Sequence, residues 1–164
     1  MRNVSITYLE MNAPPSAPER ATPRGVTIMQ AHAPTVTFYR FLYDTVGEPW
    51  QWKDRRLLDP DDLRAIIEHP DVEVHVLYFD GTPAGYAELD ARKMPDVQLA
   101  YFGLMPEFIG RGLGTFFLDW AIRKAWERAP ERLWVHTCTL DHPSALPLYK
   151  RMGFAPYKQE EIPA

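Results

Sequence analysis

The chain has 164 residues, 46% of them hydrophobic and 24% charged, with a formal net charge of −4. That length suffices for one domain with a closed core, and the composition is that of a globular chain rather than a disordered one. Its 18 basic residues are scattered and form no arm, which argues against general nucleic-acid binding by phosphate neutralisation.

Val4, Ile6, Tyr8 and Leu9 alternate as a short first strand. Residues 12–25 contain Pro14, Pro15, Pro18 and Pro23. Each lacks a backbone donor, so the segment is expected to be a surface connection within one domain. Val26 to Met29 can form another short strand. Apolar residues at 38, 41, 42 and 46 predict a helix over Thr35 to Val46, stopped by Gly47 with Pro49 just beyond. Asp59-Pro60-Asp61-Asp62 has the pattern of an N-cap and first turn, opening a short helix through Leu63, Ile66 and Ile67. Val72 to Phe79 and Ala84 to Leu89 flank the Asp80-Gly81 turn signal as a hairpin, and Val97 to Leu104 forms a third consecutive strand. Pro106, a glycine-rich loop and a long helix to about Arg128 follow; Phe117, Leu118, Ala121, Ile122 and Ala125 share one face of that helix. Leu133 to Thr139 reads as a strand, Ser144 to Arg151 as a short helix, and Gly153-Phe154 as the start of a last extended segment. This order predicts an α+β domain with one sheet covered by helices.

Two motifs carry the chemistry. The loop Gly110-Arg111-Gly112-Leu113-Gly114 lies between a strand and a helix. A helix start has unpaired N–H groups and partial positive charge, which suit a phosphate, and glycines let the backbone approach closely. Alone, such a loop serves equally well as a ligand-free turn. It lacks the Lys-Ser or Lys-Thr of a Walker loop, and its glycine spacing is not that of the dinucleotide fingerprint. The second motif, Ala145-Leu146-Pro147-Leu148-Tyr149-Lys150-Arg151-Met152-Gly153-Phe154, follows one strand later.

In this order and separation the pair resembles the GNAT superfamily of N-acetyltransferases, over about Val72 to Phe154. The stretch from Phe38 to Arg56 also resembles a bacterial subgroup of it. The resemblance implies a single GNAT-like α+β domain over residues 1–164, with a mixed, mostly antiparallel central sheet flanked by helices. It further implies direct transfer of an acetyl group from acetyl-CoA to a primary amine. Backbone groups near Leu104 would hold the pantetheine and the thioester carbonyl. Gly110, Arg111, Gly112, Leu113, Gly114 and Thr115 would bind the pyrophosphate, and Tyr149 would protonate the departing thiolate. Ile109 stands where the family usually has Gln or Arg, and His142 where many members have Asn; His142 is retained as a cofactor contact. Gln98 occupies the position of a commonly used glutamate base and cannot act as one. Glu88 and Asp90, on one face of the preceding strand, are the substitutes, with Glu88 taken as the base, although both can simply face solvent. The missing obvious base keeps open a non-catalytic CoA-binding sensor or scaffold.

His136 and Cys138 share a strand face near Asp141 and His142, but no metal-ligand spacing is present, and no metal is expected. A lone cysteine excludes an intrachain disulfide, and no apolar run reaches the roughly 20 residues of a membrane helix. A cytoplasmic protein is the expectation. Trp50 and Trp52 either border the acceptor or pack in the core. Phe116 and Trp120, off the main stripe, either pack under a neighbouring element or form a subunit contact, as in a homodimer. The acceptor is expected to be a small-molecule amine, with a protein N-terminus or lysine as the other option. Neither nucleic acid nor membrane is an expected partner.

Overall fold

The computed structural model describes residues 3–163. Seven strands form one sheet: β1 (Asn3–Met11), β2 (Val26–Ala31), β3 (Val72–Phe79), β4 (Thr82–Lys93), β5 (Asp96–Leu104), β6 (Arg132–Cys138) and β7 (Ala155–Pro163). Their order is β2-β3-β4-β5-β6-β1-β7. All neighbours are antiparallel except β5 and β6, which are parallel. The helices are α1 (Val36–Gly47), α2 (Pro60–Ile67), α3 (Leu113–Trp126) and α4 (Ala145–Arg151). The arrangement is the α+β sandwich expected from the order of elements.

The helices cover the sheet unevenly. One apolar cluster joins α3, Tyr149 of α4 and inward residues such as Leu89, Val97, Leu133 and Val135. A second cluster joins Tyr39, Leu42, Tyr43 and Val46 of α1, with Leu63 and Ile67 of α2, to Val74, Val76 and Tyr86. Strands β3 and β4 are therefore buried on both sides, and the polar residues they bury, Glu73, His75 and Glu88, are hydrogen-bonded. On the β6-β1-β7 half, Trp134, His136 and Tyr8 turn toward the α1 side and stack on one another without a helix over them.

Local signals explain most boundaries. The Thr35 hydroxyl accepts from Phe38 N–H at 3.2 Å and Asp59 Oδ1 from Asp62 N–H at 2.9 Å, so both helices begin at side-chain caps. Helix α1 ends at Gly47 as expected, but not through a left-handed glycine, since Gly47 keeps φ −93°. The chain continues as a 3-10 turn over Glu48–Trp50, and the left-handed residue is Gln51, at φ 61°. Gly47 is needed for space: a Cβ there would lie 2.5 Å from the Trp52 ring. The proline-rich segment is exposed but tethered, because Arg123 of α3 donates to the Ala17 and Pro18 carbonyls at 2.8 and 3.1 Å. Phe116 is buried in the core, and Trp120 packs edge-on against His75.

Candidate active site

The cleft arises from a defect in the sheet. Strands β5 and β6 pair only from Asp96↔Arg132 to Gln98↔Trp134 and then separate. Where they part, the β4–β5 register steps from Glu88↔Tyr101 to Leu89↔Leu99, leaving Ala100 as a bulge. A bulge bends its strand and increases the local twist, so β5 turns away from β6. The opening is a cleft of about 930 Å³. Met105 N–H donates to the Ala84 carbonyl at 2.7 Å. Strand alternation then turns the backbone groups of Phe102 and Leu104 away from β4, toward the cleft.

The glycine loop closes one end. Gly110 and Gly112 have φ of 85° and 79°, and a Cβ on either would meet no atom within 4 Å. Their glycines thus serve conformation and leave open space beside the backbone. Helix α3 starts at Leu113 without a side-chain cap or an acidic residue in its first turn. Its first amides are free to bind an anion. Gly110, Gly112, Gly114 and Thr115 line the cleft. The Leu113 side chain is buried in the core, so only its backbone can serve a ligand. Arg111 lies outside the lining, with its guanidinium 5.0 Å from the Phe108 ring centroid.

Tyr149 lines the cleft between Phe102 and Phe154, with ring centroids at 6.4 and 5.8 Å. Gly153, at φ 108°, turns the chain after α4, and Phe154 N–H donates to the Tyr149 carbonyl at 3.0 Å. Burial, with the Asp141 charge added, pushes the Tyr149 phenol above its usual pKa and keeps it protonated. His142 lines the cleft, accepts from Ser144 N–H through Nδ1 at 3.0 Å and meets Trp50 edge-on at 4.9 Å. The acceptor nitrogen thus makes the local turn bond that an Asn oxygen makes in an Asx turn. Ile109 is half-exposed in the cleft wall and adds no polar contact.

The loop after α1 crosses the opening. Trp52 packs against Tyr43 and Tyr101, while its Nε1–H donates to Asp141 Oδ1 at 3.2 Å. Asp141 Oδ2 also accepts from the Thr137 hydroxyl at 2.5 Å and from Cys138 N–H at 3.0 Å. Trp50 lines the cleft, whereas Trp52 belongs chiefly to the second core.

Beyond the point where β5 and β6 part, a side cavity of about 320 Å³ shares Asp54, Ala100, Tyr101 and His136 with the cleft. Desolvation lowers the His136 pKa against the opposing charges of Asp141, Asp54 and Glu160, favouring neutral imidazole. Burial pushes the Cys138 thiol up, away from thiolate. Glu88 does not face solvent. It is fully buried, accepts from the Tyr39 hydroxyl and from Arg55 Nη2 at 2.8 Å, and lines neither cavity. Asp90 and Gln98 line the side cavity, with Asp90 bound by Arg92 at 2.8 and 3.0 Å. The Lys53-Asp54-Arg55-Arg56 run, at the end of the Phe38 to Arg56 stretch, supplies part of this wall, and its alternating charges are the signal for it in the sequence.

The model of the Acetyltransferase (GNAT) family matches residues 35–154, most of the chain and both motifs. The chain belongs to the GNAT family. A mycothiol acetyltransferase from Acidothermus cellulolyticus is 38% identical over 72 residues, covering 44% of this chain and 20% of that protein. A GCN5-related N-acetyltransferase from Kribbella flavida superposes with a TM-score of 0.65 at 20% identity, covering 94% of this chain and 56% of that one. An aminoglycoside acetyltransferase from an uncultured soil metagenomic sample gives 0.63 at 13% identity, covering 79% of this chain and 88% of that one. The chain thus spans a fifth of the curated relative and about half of the Kribbella protein. At such identities the solved structures bear on the GNAT fold alone.

Proposed function

We propose that this GNAT domain transfers an acetyl group from acetyl-CoA to a primary amine by direct attack. The observation that carries this reading is the parting of β5 and β6, which sets Leu104, the glycine loop and Tyr149 around one cleft. The loop amides and the α3 start suit the pyrophosphate, and the open space at Gly110 and Gly112 admits it. The cleft-facing N–H of Leu104 is oriented to stabilise negative charge on the thioester oxygen. His136, at the junction with the side cavity, takes the ammonium proton. The amine nitrogen then bonds to the carbonyl carbon, the carbon–sulfur bond breaks, and Tyr149 gives its proton to sulfur; the nitrogen's second proton leaves to water as the amide forms, and the Tyr149 phenolate regains a proton from water. Both substrates lie side by side, so no acyl-enzyme is required.

Glu88 has a different role from the base expected for it. Its two acceptor oxygens are engaged by Tyr39 and Arg55, and it has no path to the cleft. Acetyl-CoA offered with a panel of amines, read by free thiol, tests the reading. Amine-dependent thiol release supports transfer. CoA binding without release under any condition would instead favour a sensor or scaffold.

A further inference from the structure

The buried Glu88 assigns a task to Arg55. Taking both charges of an ion pair out of water is costly unless their hydrogen bonds are satisfied. Glu88 satisfies this condition through Tyr39 and Arg55. Burial raises the Tyr39 pKa and so keeps its proton for Glu88, while the Glu88 carboxylate outweighs desolvation at Arg55 and keeps the guanidinium charged. Arg55 is only partly consumed. Nη2 holds Glu88 and Nε is buried out of a ligand's reach, while the less enclosed Nη1 has no hydrogen-bond partner among the described residues. The guanidinium lies 5.2 Å from the Tyr101 ring centroid, and Arg55 lines the side cavity. A pinned cation with unused donors in a cavity wall has the geometry for an anion, above all a carboxylate.

The remaining charges narrow the choice. Asp90 is neutralised by Arg92, and Asp96 by Arg132 at 3.0 Å. Asp54 is in no ion pair among the described residues and lines both cavities. It follows that the wall presents one carboxylate outside any ion pair, at the junction, together with the partly unused Arg55 guanidinium and Lys93, which is in no ion pair among the described residues. Asp54 and Arg55 suit an ammonium and a carboxylate separated by a short distance, as in an α-amino acid.

We propose that the acceptor is a free α-amino acid or a similarly compact amino carboxylate. Its amino group faces Asp54 and His136, and its carboxylate is bound by Arg55, which Glu88 and Tyr39 hold in position. This rests on the acetyl transfer proposed above. A side cavity of about 320 Å³ suits a ligand of that size.

The test compares each amino acid with its decarboxylated amine: phenylalanine with 2-phenylethylamine, histidine with histamine, tryptophan with tryptamine. The expected result is a preference of ten- to a hundredfold in kcat/KM for the amino acid of at least one pair, carried mainly by KM. Arg55→Gln should collapse that ratio, and Arg55→Lys should restore part of it. Arg55→Gln alone leaves Glu88 buried without its partner, so Arg55→Gln/Glu88→Gln provides the folded control with the same expected loss. Thiol release with every plain amine matching or exceeding its amino acid would overturn the proposal while leaving acetyl transfer intact. If no amine releases thiol, transfer fails and binding decides: Trp134 lines the cavity, so tryptophan fluorescence reports titrations with phenylalanine, histidine and their amines. Amino-acid binding that exceeds amine binding and disappears in the double variant sustains the site; equal binding excludes it.

Discussion

Asp141→Ala tests whether the strap over the cleft is structural. The carboxylate accepts from Trp52 Nε1 at 3.2 Å, Thr137 Oγ1 at 2.5 Å and Cys138 N at 3.0 Å. Hydrogen bonds to a charged group contribute about 1.5–3 kcal/mol each when fully buried. Asp141 is only half-buried and water can reach part of the site, so the combined loss should be roughly 2–4 kcal/mol. For a domain of this size that corresponds to a fall in Tm of roughly 5–15 °C. Asp141→Asn retains one acceptor oxygen and should lose about half as much. Differential scanning calorimetry gives the shift, and donor titration followed through tryptophan fluorescence shows whether the cleft loosens with it. A Tm within about 1 °C of the parent, with unaltered donor affinity, would mean that the Trp52–Asp141 bridge neither stabilises the fold nor shapes the cleft.

Tyr149→Phe should lower kcat by roughly 10²- to 10⁴-fold while CoA affinity, measured by calorimetry, stays near the parent value; unchanged turnover would remove Tyr149 as the acid. Gly112→Ala places a side chain at φ 79° and should cost about 1–2 kcal/mol of stability, with a raised KM for acetyl-CoA in steady-state assays. On the proposed mechanism neutral His136 takes the ammonium proton, so the acidic limb of kcat/KM should fall below an ordinary imidazole pKa and vanish in His136→Gln. Glu73 gives a separate test in acid. Burial opposes its charge, but hydrogen bonds from His75 and Arg128 prevail and hold its pKa at about 2, against an ordinary 4.5. A depressed carboxylate stabilises the fold above its ordinary value and loses that contribution as pH falls through the folded one. Between pH 4.5 and 2 the parent should therefore lose up to about 3 kcal/mol that Glu73→Gln does not, read from urea midpoints.

Much of the donor side was legible in the residues. Asp59-Pro60 marked a cap because its chemistry is local, and the glycine loop marked a helix start for the same reason. Tyr149 and Gly153-Phe154 entered through their spacing after that loop; Tyr149 lines the same cleft, with Phe154 packed behind it in the core. His142 lines the cleft and makes a local turn bond of the kind Asn makes, accepting from Ser144 N–H. Gly47 ends α1 as its place before Pro49 indicates, whereas its further task, making room for the Trp52 ring, has no local sign.

The acceptor side had no such signature. Period-two alternation placed Glu88 and Asp90 on one face, yet whether that face met water depended on α1 lying across it. The partnership of Glu88 with Arg55 spans 33 residues, beyond the reach of any local pattern. The gap between β5 and β6 likewise depends on a bulge at Ala100 and on where a parallel pairing stops. By itself the sequence determined the elements, the helix starts and the glycine loop, because capping, alternation and glycine conformation act over a few residues. Only the tertiary structure decided which carboxylate is buried, which histidine lines the junction and which arginine has donors to spare, because desolvation and ion pairing depend on neighbours brought from distant parts of the chain.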